Sequence, residues 1–109
     1  MNYLRELLAF HGACMVSPVS ARAMALWYTL MYFSNMARWR FPIVVSEAWL
    51  RGAAGGLTHE QFIKARRELI EGGYVQHFPQ PGNRAAKYTM MELSKGVQEV
   101  SIIKIITRG

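Results

Sequence analysis

The chain has 109 residues, of which 51% are apolar and only 18% charged, a balance that places it among globular folds and excludes a disordered polar chain. At this length one hydrophobic core can be filled and hardly a second. Thirteen Lys and Arg stand against seven acidic residues, all of them Glu, for a net charge of +6, so polyanions head the partner classes: DNA, RNA or an anionic membrane surface.

In chain order, Leu4, Leu7 and Leu8 recur at helical spacing with Arg5 and Glu6 on the other side, which predicts an amphipathic helix from Tyr3 to about His11. Those interior charges make a poor secretory signal. A break is expected from Gly12 to Pro18. Ser20 then caps a second helix running to about Asn35, apolar nearly all round as a central core helix should be. The run from Met24 to Phe33 is too short to cross a bilayer, and no membrane partner is expected. Phe41, Ile43, Val44 and Val45 behind Pro42 predict a short first strand.

Ser46 caps a third helix holding Trp49 and Leu50, which the run Gly52-Ala53-Ala54-Gly55-Gly56 ends. Thr58 with Gln61 three residues on forms a capping box that opens a fourth helix. Its buried stripe is Phe62, Ala65, Leu69 and Ile70, and Gly72-Gly73 stops it. Two such helices joined by a glycine-containing turn make a helix-turn-helix. Tyr74 to Phe78 and Ala86 to Met91 read as strands flanking the turn residues Pro79 to Arg84, a hairpin that directly follows the fourth helix. The fold class expected is therefore α+β, a winged helix-turn-helix with four helices, a short first strand and a C-terminal hairpin wing over residues 1–91. Residues 92–109 form a tail. Its β-branched run 97–107 reads as a further strand or, through Ile102, Ile103, Ile105 and Ile106, as a homodimer contact.

The residues of the second helix from Ser20 to Tyr32, the strand Phe41 to Val45 and the stretch Leu57 to Val75 together resemble the N-terminal winged-helix domain of DnaD-like replication-initiation proteins and phage replisome organisers. Gly82-Asn83-Arg84 and Lys87-Tyr88 resemble the wing of the same group, and the likeness covers roughly Met1 to Met91. The resemblance implies a role at DNA in replication initiation of a phage, prophage or mobile element, alongside other replication proteins. The pattern of the fourth helix is also shared by winged-helix transcription regulators.

Removing the apolar stripe leaves His59, Glu60, Ile63, Lys64, Arg67 and Glu71 facing outward on the fourth helix. With that helix in a major groove, His59, Gln61 and Lys64 lie nearest the base edges and Arg67 nearer a phosphate. The competing reading makes Lys64 with Glu68, and Arg67 with Glu71, ordinary surface ion pairs. Arg66 is expected to pack its stem and reach a carboxylate such as Glu47 or a backbone carbonyl. On the wing, Arg84 and Lys87 straddle the turn with Gln80 and Asn83, a set able to touch phosphates or enter a minor groove. Trp39, between Arg38 and Arg40, reads as a core edge before a base-stacking platform.

Lone Cys14 excludes an internal disulfide, and His11, His59 and His77 lie on different elements, so neither a metal nor a cofactor is expected, and a cytoplasmic home is. No Ser, Cys or His stands in a motif beside a base, which argues against catalysis. The leading expectation is a module binding double-stranded DNA as a homodimer. The alternative is a protein-interaction or self-assembly module in which the positive charge is incidental.

Overall fold

Every helix among the described residues starts on a capping side chain, and those of the second, third and fourth are the caps expected from the sequence. Asn2 accepts from the backbone N–H of Arg5, Ser20 from Ala23, Ser46 from Trp49 and Thr58 from Gln61 at 3.1–3.3 Å. The helices that follow among the described residues are α1 (Tyr3–Val16), α2 (Ala21–Met36), α3 (Glu47–Ala53) and α4 (His59–Glu71). Three short strands accompany them among the described residues and make the fold α+β: β1 (Ile43–Val44), β2 (Val75–Phe78) and β3 (Lys87–Met90). This computed structural model describes residues 1–94, so the strand or dimer contact expected over 97–107 lies outside the described residues. The described residues divide into two compact units, one holding Val19–Met91 and the other Met1–Pro18 with Glu92, Leu93 and Ser94.

Within the larger unit, three helices end in the same backbone device, in which the second residue past the cap bonds back to the last turn. At the end of α4, Tyr74 N–H reaches Leu69 O (2.9 Å) and Gly73 N–H reaches Ile70 O (3.1 Å), with Gly73 at φ 78°. α3 closes likewise through Gly55 (φ 100°), and Arg51 Nε donates to Leu57 O at 2.8 Å to fasten the turn between α3 and α4. α2 does it without glycine: Trp39 N–H bonds Ser34 O and Arg38 N–H bonds Asn35 O, with Arg38 at φ 56° and Trp39 at φ 60°.

The sheet is antiparallel in the order β1-β3-β2, with Ile43 opposite Tyr88 and Val75, Gln76, His77 and Phe78 opposite Met90, Thr89, Tyr88 and Lys87. Alternation puts Ile43, Val75, Tyr88 and Met90 inward, while Val44, Phe78 and Lys87 form one cross-strand row on the outer face. The core draws Leu26, Trp27, Leu30 and Met31 from α2, Leu50 from α3 and Phe62, Ala65 and Leu69 from α4. Burying each large side chain contributes about 1.5–3 kcal/mol. Ile70, assigned to this stripe from sequence, is 40% exposed. It lies beside the hairpin, bordering a groove with Val75, His77 and Met91.

In the smaller unit two expectations are corrected. α1 does not break at Gly12 but continues to Val16, since one interior glycine costs only about 1 kcal/mol. It stops at Ser17, whose conformation the following Pro18 restricts. The buried face is also rotated. Leu4 and Leu8 are exposed, whereas Glu6 is fully buried together with Ala9 and Phe10. The reason is chemical: the Glu6 carboxylate accepts from the backbone N–H groups of Leu93 (2.7 Å) and Ser94 (3.1 Å). A carboxylate so bonded satisfies its burial, which no periodicity of apolar residues foretells.

Candidate nucleic-acid interface

α4 positions the candidate residues because its buried side, Phe62, Ala65 and Leu69, is pinned against the core. The opposite ridge then carries Glu60, Lys64, Arg67 and Glu71 into solvent. Neither of the surface ion pairs weighed above forms. Among the described residues, no carboxylate lies within salt-bridge distance of Lys64 or Arg67. Glu68 turns the other way, its two oxygens accepting from Ser20 N–H (2.8 Å) and Ser20 Oγ–H at the start of α2.

Two residues expected near the base edges are engaged within the protein. His59 Nδ1 meets Glu47 Oε2, which also receives Arg51 Nη1 at 3.5 Å. Gln61 Oε1 accepts from Thr58 N–H at 3.0 Å, completing the capping box. Gln61 shares a groove with Lys64, Arg22 and Glu68. Arg22 was not singled out by the sequence, where nothing relates the first turn of one helix to the middle of another. Arg51 was missed in the same way, although its position before the glycine run was the available signal.

Arg66 departs from its expected partner. Its guanidinium lies over the Phe62 ring, 5.0 Å from the centroid, and Nη1 donates to Tyr88 Oη at 3.1 Å. Glu47 is already held by His59 and Arg51, and the phenol of β3 lies within reach instead. Burial raises the Tyr88 pKa above its ordinary value, a shift that the hydrogen bond and charge of Arg66 oppose. His77 is paired with Tyr88 across the hairpin, their rings 5.3 Å apart. Its pKa is lowered, first by burial and then by the Arg66 charge. α4 and the hairpin are thus joined by a polar contact as well as by packing.

The hairpin loop spans residues 79–86, with Gly82 at φ 70° giving its bend. Gln80 Nε2 donates to Ala85 O at 2.6 Å and so closes the loop. Asn83 and Arg84 are exposed beyond that closure. Lys87 starts β3, half-buried on the outer sheet face between Val44 and Phe78. Trp39 is half-buried, its ring 6.5 Å from that of Phe41, as a core-edge residue.

Among the described residues, no three His, Cys, Asp or Glu side chains are grouped to hold a metal ion, and no helix is long and apolar enough to cross a membrane. Comparison with protein-family models, curated proteins and solved structures finds no match to this chain.

Proposed function

We propose that the protein binds duplex DNA as a winged helix-turn-helix module. α3 and α4 form the helix-turn-helix, α4 enters the major groove, and the β2–β3 hairpin is the wing. The observation that carries this reading is the state of the cations on α4: Lys64 and Arg67 are exposed without a carboxylate partner among the described residues, while Glu68 and Glu47 are occupied elsewhere. Arg84 and Lys87 on the adjoining hairpin add positive charge. Such cations fix a protein on the phosphate backbone, and Lys64, the base-edge candidate not engaged within the protein, is left to reach the bases. The sequence resemblance to DnaD-like replication-initiation domains, carried by Ser20 to Tyr32, Phe41 to Val45 and Leu57 to Val75, supports a role at DNA in replication initiation of a phage, prophage or mobile element.

The test is Lys64→Ala combined with Arg67→Ala. Affinity for duplex DNA should fall tenfold or more, since each lost contact is typically worth about 1–3 kcal/mol. Circular dichroism should not change. Wild-type affinity in a gel-shift titration at fixed salt, with the fold intact, rejects the reading.

A protein-docking role is the second reading, favoured by one feature. Trp49, 70% exposed, stands with its ring 6.5 Å from Phe33 beside the exposed Tyr32, and Trp and Tyr are enriched where proteins bind one another. Trp49→Ala should then abolish partner binding and leave DNA affinity unchanged.

A further inference from the structure

We infer that Arg22, in the first turn of α2, contacts the DNA phosphate backbone on the side of α4 opposite the hairpin; this rests on the duplex-DNA reading above. α4 has two flanks. Arg66 and Ile70 face the sheet, the first bonded to Tyr88 and the second bordering a groove with β2. Gln61, Lys64 and Glu68 recur at helical spacing on the other flank and line a groove with Ser20, Ala21 and Arg22.

Three ionisable side chains border that groove, and their pairing decides its character. Glu68 spends both oxygens on the N–H and hydroxyl of Ser20. Arg22 and Lys64 are exposed, and among the described residues neither has a carboxylate within salt-bridge distance. Two cations from different helices, neither in an ion pair among the described residues, therefore overlook one groove with a single carboxylate, whose hydrogen bonds point it at Ser20 and leave the groove with an excess of one positive charge.

A helix about 10–12 Å across nearly fills a major groove about 12 Å wide, so phosphates stand close on both sides of it. The hairpin serves one wall. Arg22 serves the other, and its planar guanidinium can take two phosphate oxygens at once. α2 is thereby more than a core helix: its first turn orients α4 in the groove.

The experiment follows binding of the full chain to a fluorescein-labelled mixed-sequence duplex by anisotropy over a series of salt concentrations. Arg22→Ala should weaken binding about five- to tenfold at 100 mM salt and make the log–log salt slope shallower by about 1, the loss expected for one phosphate contact. Arg22→Lys should restore the slope. Thermal melts should match the wild type, because the side chain is exposed. If Arg22→Ala keeps the wild-type affinity and slope while Lys64→Ala loses both, Arg22 is off the DNA and the duplex reading stands. If the wild-type chain does not bind the duplex at all, the duplex reading falls and takes this inference with it.

Discussion

A Cβ built on Gly72 would sit 2.6 Å from Cε2 and 2.8 Å from Cδ2 of Tyr74, a ring that is itself buried. Gly72 lies at φ −76°, open to any residue, so space is what requires glycine there. Gly73, at φ 78°, meets no atom within 4 Å and is required by conformation instead. Gly72→Ala should destabilise by about 1–3 kcal/mol, the range for overpacking a well-filled site, in urea unfolding. Arg38 presents the converse. It occupies the left-handed position that Gly55 and Gly73 fill at the ends of the other helices, where a side chain costs about 1–2 kcal/mol. Because glycine also loosens the unfolded chain by about 0.4–1 kcal/mol, Arg38→Gly should raise stability by no more than about 1.6 kcal/mol. A lowered melting temperature for that variant would mean that the Arg38 side chain contributes more than its backbone strain removes.

At the scale of elements, the joint between α4 and the hairpin titrates. His77 is held neutral by burial and by Arg66, so its folded pKa lies below the 6.5 of the free side chain. The unfolded chain therefore takes up a proton first as pH falls. Stability contributed by neutral His77 is fully present well above pH 6.5 and is lost as the solution is acidified through that value toward the folded pKa. His77→Gln should flatten the decline in unfolding free energy between about pH 7 and 5. An unchanged pH profile in that variant would show that His77 does not contribute to it. Tyr88 acts at the other end of the scale: its raised pKa means stability is lost as pH rises above 10.

For the whole molecule, net charge and binding charge are different quantities. Of the +6 on the chain, only cations placed against phosphate release counterions. Lys64, Arg67, Arg84, Lys87 and Arg22 make five candidates on α4, the hairpin and the start of α2. Five contacts predict a log–log salt slope of about −4 to −5 for duplex binding. A slope shallower than about −2 in a salt titration would mean that these elements do not engage the backbone together.

Caps and turns were legible in the sequence because they are local. Ser20, Ser46 and the Thr58–Gln61 box bond to groups within three residues, and the alternation of Tyr74 to Phe78 and Ala86 to Met91 requires only a strand period. From these came the order of elements, and the helical period gave Phe62, Ala65 and Leu69 of the α4 stripe but not the exposure of Ile70. The placement of charges was not legible. Glu6 is buried by the backbone of Leu93 and Ser94, Glu68 is drawn to Ser20, and Arg66 finds Tyr88. Each bond joins residues far apart in the chain, and each partner has other bonding choices that sequence spacing ranks equally. By itself the sequence determined the order of helices, turns and hairpin and, from α2 onward, where they start, since hydrogen bonds within a few residues select those states; the run of α1 through Gly12 to Val16 was not among them. Only the tertiary structure decided which charges are spent inside the protein and which remain for a ligand, because that depends on which side chains the packed core brings within about 3 Å of one another.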